Sequence, residues 1–466
     1  MIWRSTCLLA LGVCWQGCSK KAFLDAKPST SLLVPTTLSD FQTLLDNTTV
    51  FGLVPTLGES SADNYFLPFT IWNGLDTREH NAYIWAADIF EGQGSQLDWN
   101  APYQQVFYAN VVLDGLGSQP GKDSVEEWNA LEGAALFLRS FAFYNLAQVF
   151  APVYDSSNMS IDSGIPLRLH SDINPASHRS TIVQTYQQIL NDLNLAEQLL
   201  PATTPNHYLN RPIRVSAQAL LARVYLSMRN YSKARAYADS ALQFYSALLN
   251  YNSLDTTAQN AFGQFTNPEV LYQASFLANI PGISAIYSSV LVGGTFFSNT
   301  RIDTGLIGSY DPNDLRRVLC YHYKPPDSSF LKGSYTGSGF CFGGLATDEL
   351  YLIRAEGAAR AGDATAAMRD IDTLLSKRWR TGTFPGYTVA SAQEALDTVL
   401  LERRKELAFR GLRWTDLRRL NAEGSNITLT RVLDKTYTLA PNSDLWVLPI
   451  PPDVITLSSI GQNNRN

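Results

Sequence analysis

Two well-separated stretches of the chain repeat one design, and a chain that carries it must stack helices. Residues 216–228 keep helical spacing, Arg229, Asn230, Tyr231 and Ser232 turn the chain, and 233–247 return with Ala234, Tyr237, Ala238 and Leu242 on one face. Residues 347–360 do the same: Ala361, Gly362 and Asp363 form the turn, and 364–377 come back with Ala366, Ile371 and Leu374 inward. Small alanines let the paired helices close up, and a hairpin of this kind needs neighbours to bury its apolar face. Apolar spacing predicts further helices from Trp99 to about Leu113 and over 125–150, 181–200, 391–410 and 416–420, with a short amphipathic one over 37–46. The fold class is therefore mostly α, a tetratricopeptide-like scaffold of helix pairs over about 99–250 and 347–420.

Two regions break the pattern. Residues 52–94 are rich in Trp, Tyr, Asn and Asp without periodicity and read as long loops; 251–346 are rich in Gly, Ser, Asn, Phe and Tyr and read as an irregular, loop-rich lobe. Ordered loops of that length usually bind something. The end of the chain, 446–452, reads as a short extended piece that must pair or dock at an edge. Hydrophobic residues make up 45% and charged ones 17%, which is enough apolar material for a large core under both regions.

The amino terminus adds a compartment. Arg4 precedes an apolar stretch over 6–13, too short to span a membrane, and Gly17-Cys18-Ser19 places a small residue before a cysteine at its polar boundary. Residues 1–17 thus read as a lipoprotein signal peptide, Cys18 as the lipidated residue, 18–36 as a polar tether and 37–466 as one body. Cys320 and Cys341 remain in an oxidising compartment, where a disulfide would close a loop of about 20 residues worth roughly 3 kcal/mol. Two separate buried thiols are the alternative.

Several chemistries find no support. With 36 Lys+Arg against 42 Asp+Glu, the net charge of −6 and the lack of a basic run argue against nucleic acid as a partner. The five histidines form no HExxH or other helical pair, no CxxC occurs, and GxSxG and GxxxxGK[ST] are both missing, so no metal, cofactor or catalytic residue is assigned. What the loops do carry is aromatic and polar side chains together. Sugar C–H faces stack on aromatic planes while Asp, Asn and Arg bond hydroxyls, which makes Asp63, Asn64, Tyr65, Trp72, Arg78, Trp85 and Trp99 ligand-binding candidates, with Tyr287, Phe296 and Arg301 from the lobe. Core packing is the competing reading for each aromatic, stronger for Trp99 and Tyr103; Trp72 reads as more exposed than they are.

The order of segments resembles the SusD/RagB family of nutrient-binding outer-membrane lipoproteins. Cys18-Ser19-Lys20 is followed by Phe23-Leu24-Asp25, Ala62-Asp63, Trp99 with Tyr103 and Asn110, and Ala135-Leu136-Phe137-Leu138-Arg139. After Ile165-Pro166-Leu167 come Leu220-Leu221-Ala222-Arg223-Val224-Tyr225-Leu226, Leu352-Ile353-Arg354-Ala355-Glu356 and Glu402-Arg403-Arg404-Lys405-Glu406-Leu407. Arg413 to Arg418, Leu448-Pro449-Ile450-Pro451 and Gln462-Asn463 complete the series. The resemblance implies a lipid-anchored protein at the outer membrane, facing the cell surface. It would bind glycan or other oligomeric nutrients without catalysis and hand them to a SusC-like TonB-dependent barrel. A tetratricopeptide-type protein scaffold, or a peptide-binding variant of the same lid, is the alternative. One departure stands out: Arg410 replaces the family's usual Glu, four residues after Glu406, a spacing that favours a helical ion pair.

Overall fold

The computed structural model of the protein describes residues 35–118, 124–155, 163–204, 208–263, 265–276, 290–292, 295–297, 300–324, 328–338, 340–458 and 460–465. Cys18, the signal segment and nearly all of the tether lie outside them. The helices that matter below are α1 Leu38–Leu45, α2 Leu57–Ser61, α3 Thr77–Tyr83, α4 Leu97–Ser118, α5 Val125–Phe150, α6 Ile182–Leu199, α7 Arg214–Ser227 and α8 Tyr231–Phe244. Beyond the lobe come α9 Thr347–Arg360, α10 Ala364–Leu375, α11 Ala392–Glu406, α12 Arg413–Asn421 and α13 Pro452–Ser458. The strands are short: β1 Tyr65–Phe66, β2 Val270–Tyr272, β3 Arg301–Ile302, β4 Ser328–Leu331, β5 Leu345–Ala346, β6 Leu429–Val432 and β7 Thr436–Leu439.

Successive helices α4 to α10 pack each on the next, and α11 closes on α9 and α10, giving the stack of pairs that the sequence predicts. Local signals start them where expected. Thr37 caps α1 and Thr181 caps α6, each with a reciprocal capping box, and Asn230 and Asp363 cap the return helices of the two hairpins. Those hairpins are neighbours: α8 lies against α9 although the whole lobe separates them in sequence. Glycine makes that approach possible, since a Cβ on Gly357 of α9 would lie 2.6 Å from Arg235 Cβ and 3.0 Å from the Tyr231 carbonyl oxygen. One cluster of buried apolar side chains runs from Phe41 to Ile460.

Charge, as well as apolar packing, fixes the lobe on the stack. Buried Arg316 bonds Asp314 (2.6 Å), Glu402 (2.7 Å) and Glu406 (2.8 Å), and Glu406 also bonds Arg378 (2.8 Å), which reaches Glu269 in the lobe (2.8 Å). Tyr335 Oη lies 2.7 Å from Glu269 and 3.1 Å from Asp348, and Asp348 pairs with Arg410. A second run links Arg223 to Glu349 (2.6 Å), Arg403 to Asp416 (2.9 Å) and Arg419 to Glu356 (2.6 Å). Glu269, Asp348 and Glu406 offer carboxylate oxygens within 4.8 Å of one another, and Arg378 and Arg410 supply the positive charge there.

Several expectations need correction. Residues 52–94 are only partly loop: α2, α3 and the short helix Phe69–Trp72 interrupt them, while 84–94 stays irregular. Of pairing and docking, the closing segment docks: among the described residues it pairs with no strand, Leu448 N donates to the Val149 carbonyl (3.1 Å), and Asn463 Nδ2 bonds the Phe150 and Leu448 carbonyls, so it caps the end of α5. Helix α11 stops at Glu406, so Arg410 is not one helical turn beyond it; Glu406 pairs with Arg316 and Arg378, and buried Arg410 with Asp348 instead. Cys320 and Cys341 are both thiols, so the disulfide is not formed. Burial pushes the Cys320 thiol up to about 12, with Glu406 adding to the rise, which leaves it unreactive.

Removing the guanidinium that meets three carboxylates leaves uncompensated buried charge. Arg316→Ala should therefore lower stability by about 3–5 kcal/mol, read as a fall in the urea midpoint. An unchanged midpoint would mean the lobe does not depend on these pairs.

Candidate functional site

The 52–94 region and the lobe meet at one place. Strand β1 pairs antiparallel with β3, Tyr65 opposite Ile302 and Phe66 opposite Arg301. Side chains alternate along a strand. Tyr65 turns inward, its hydroxyl donating to the Ser60 carbonyl (2.6 Å), while Phe66 is 38% exposed. The Arg301 guanidinium lies 4.5 Å from the ring centre of Phe330 on β4. Three residues beyond Phe66, Phe69 opens the short helix and is 44% exposed, and its ring meets Trp72 at 5.9 Å. Tyr437 of β7 meets Trp72 at 5.8 Å from the other side, with Lys435 Nζ 4.9 Å from the Tyr437 ring centre. Phe66, Phe69 and Tyr437 thus present aromatic surface, and Arg301 and Lys435 accompany it with positive charge.

The layer beneath is tightly held. Arg431 of β6 is buried in a box of rings, its guanidinium 4.2 Å from Tyr83, 5.1 Å from Trp85 and 5.4 Å from Tyr65, and it donates to the carbonyls of Tyr65 (2.9 Å), Tyr83 (3.4 Å) and Ala62. Asp63 takes a two-pronged bond from Arg413 (2.6 and 2.8 Å). Arg404 of α11 joins Asp63 (3.4 Å) to Asp303 (3.1 Å), just after β3. Burial alone would raise the Asp63 carboxyl; Arg413, then Arg404, overcome it and hold the group at about 2. Glu59 has no such clamp. Burial pushes it up to about 7 against the bonds it accepts from Asn64 Nδ2 (2.9 Å) and Gly411 N (3.1 Å), and Asp63 adds to the rise.

Against this geometry the comparisons with known proteins fall into place. Residues 22–226 match a family model described as starch-binding and associating with the outer membrane, and residues 347–459 match the SusD family model. The chain belongs to the SusD/RagB family. It is similar to the SusD-like protein P2 of Formosa agariphila, 23% identical over 416 residues that cover 78% of this chain and 79% of that one. Its fold is similar to that of a SusD superfamily protein from Bacteroides thetaiotaomicron (TM-score 0.73, 23% identity, 92% of this chain and 100% of that one). It is also similar to that of a putative sugar-binding protein from Bacteroides vulgatus (TM-score 0.71, 20% identity, 92% and 99%). The two matched segments bracket 227–346, so neither SusD model covers the lobe that supplies Arg301 and Phe330.

Most of the sequence candidates form the support of this face rather than its surface. Trp72, expected to be exposed, is 3% exposed; its Nε1 donates to the His80 carbonyl (3.0 Å) and its ring stacks on the His80 imidazole at 3.9 Å. Trp85 Nε1 donates to the Ser61 carbonyl (2.9 Å), Asn64 is bonded to Glu59, and Arg78 pairs with Asp98 (3.2 Å). All are buried, and each is fastened to an interior partner by at least one polar atom. Trp99 packs elsewhere, against Tyr103 and Phe150. Asp63, Tyr65 and Arg301 do come together through the β1–β3 pair. Tyr287 lies outside the described residues, and Phe296 falls in the strand Thr295–Phe297, paired with Val290–Val292. The sequence reading missed Phe66, Phe69 and Tyr437; the alternation of 429–439 around Asp434-Lys435 is a hairpin signal that marks Tyr437.

Glu59 makes stability pH-dependent. Its carboxyl is raised from 4.5 to about 7 on folding, so its contribution is fully present below pH 4.5 and is lost as pH rises through about 7. Glu59→Gln, which cannot titrate, should lose less stability between pH 5 and 8 than the wild type in parallel urea unfolding. Identical losses would show that the carboxyl does not titrate there.

Proposed function

We propose that this protein captures glycans without catalysis on the face formed by β1, β3 and β7, and delivers them to a SusC-like TonB-dependent outer-membrane barrel. A lipid on Cys18 would hold it at the cell surface. The observation that carries the reading is the β1–β3 pair: it ties the amino-terminal region to the lobe and leaves Phe66 and Phe69 exposed beside Arg301. Flat apolar rings flanked by hydrogen-bond donors suit a sugar, whose C–H faces stack while its hydroxyls accept. Membership of a family with a starch-binding model, and fold likeness to proteins described as sugar-binding, support the same class of ligand.

The carboxylates beneath the face argue for binding over hydrolysis. Glycoside cleavage needs an acid and a base flanking the bond. Asp63 is clamped by two arginines and Glu59 is buried, so neither reaches a ligand on the surface. Among the described residues no helix is long and apolar enough to cross a membrane.

The test is calorimetric titration of the protein begun after Cys18 against oligosaccharide and peptide panels. Phe69→Ala should weaken oligosaccharide binding by roughly three- to tenfold, the loss of one aromatic stacking contact of about 0.5–1.5 kcal/mol, without moving the unfolding midpoint by more than about 0.5 kcal/mol. Binding of peptides alone would assign the face to the peptide variant of the lid. Copurification of a barrel with the full-length lipoprotein tests delivery.

A further inference from the structure

A groove of about 330 Å3 runs along α4, and no residue of the aromatic face lines it. Its floor is an aromatic ladder. Trp99, Tyr103 and Phe107 stand at i, i+4 and i+8, so they rise along one side of the helix by about 6 Å per step. The first two rings are 4.9 Å apart. The ladder opens outward along its length: Trp99 is buried, Tyr103 half-buried and Phe107 38% exposed, and Ile173 on the opposite lip is 74% exposed. Packing on Phe150 and a bond to the Pro166 carbonyl account for Trp99 and Tyr103, whereas Phe107 and Ile173 leave apolar surface to solvent on the two lips.

The opposite wall is preformed. Arg168 spans the loop from within, donating to the Pro175 carbonyl (2.8 Å), Ser177 Oγ (2.9 Å) and the Asp172 carbonyl (2.7 Å). Asn110 of α4 pins the loop from below through the Arg168 and His170 carbonyls (2.9 and 3.2 Å), and its own oxygen accepts from Arg139 (2.9 Å), which is paired with Asp192. His170 is exposed and bonds Asp114 through Nδ1 (3.1 Å), which leaves Nε2 as the ring's second polar atom. A wall whose bonds are made before a ligand arrives costs little ordering on binding.

We propose that this groove is a second saccharide-contact site, taking one or two sugar rings against the Trp99–Tyr103–Phe107 ladder with His170 at the polar edge. The assignment rests on the glycan reading above for the ligand class. The size agrees: ligand pockets run from about 300 to 1,000 Å3, so this one holds a short stretch of a longer chain. A peptide fits less well. Extended peptides bind by pairing with a free backbone edge, and the carbonyls of Arg168, His170, Asp172 and Pro175 along this wall are already taken. Two separated contacts on one polymer would raise its effective affinity for long chains over short ones.

The experiment follows isoleucine methyl NMR signals of Ile173 and Ile460, both lining the groove, in the protein begun after Cys18. The probes are hexasaccharides of α-glucan, β-glucan, xylan and mannan, with a tripeptide panel alongside. At least one hexasaccharide should shift both methyls in the wild type and in Phe69→Ala. In Phe107→Ala, whose exposed ring can be removed without emptying the core, the titration should weaken by roughly three- to tenfold. Ile173→Arg, at the open lip, should abolish the shift of the remaining Ile460 methyl while the far-UV spectrum stays unchanged. A hexasaccharide that binds the β1–β3 face but leaves both methyls unmoved overturns the groove and spares the glycan reading. Silence from every saccharide at both places overturns both, and shifts with tripeptides alone overturn the ligand class.

Discussion

The structure depends on buried guanidinium groups that join the lobe to the helical stack. Arg316 and Arg378 carry the contact between Asp314 and Glu269 on the lobe side and Glu402 and Glu406 on α11. Taking such charges out of water is costly, and their attraction offsets that cost only when each donor and lone pair is matched. The geometry therefore tolerates little displacement. An apolar interface could slide by an ångström and lose little, whereas here a small shift would leave carboxylates without partners. That is a reason for a low-charge chain to spend so many of its arginines inside.

The same logic carries outward to the aromatic face. Helix α11 holds Arg316 through Glu402 and Glu406, and its Arg404 also ties Asp63 to Asp303, the residues flanking the β1–β3 pair. Phe66 and Arg301 are thus positioned by a helix that never touches the surface they form. Beneath Phe69, Trp72 is locked between His80 and Tyr437, and Arg431 fills a box of three rings. Buried rings act as the mounting on which the exposed rings are held.

That division explains what the sequence could and could not say. The helix pairs were legible because their apolar spacing, caps and alanines are local signals, and Thr181, Asn230 and Asp363 cap where they should. Burial of an individual aromatic is not local. Trp72 and Phe69 sit in the same four-residue helix, and only the neighbours His80, on the next helix, and Tyr437, distant in sequence, decide that one is inside and the other outside. Composition could say that aromatics cluster in 52–94 but not which face solvent. The Glu406–Arg410 pair failed for a related reason: that spacing favours a pair only while the helix continues, and α11 ends at Glu406.

The lobe's place in the chain follows from how α8 and α9 meet. They pack directly, with Gly357 against Arg235, so the scaffold is continuous whether the segment between them is short or long. Closing a longer loop costs only about 0.6 kcal/mol for each doubling of its length, so a lobe at this seam can change size at little expense to the stack. What it cannot change freely are the residues that fasten it: Glu269 to Arg378, Arg316 to α11, and the β2–β5 pair that leads straight into α9. A scaffold with one seam of this kind separates two demands that usually conflict. Stability is placed in the helices and the buried charges, and the interior sequence of the lobe is left unconstrained by the stack.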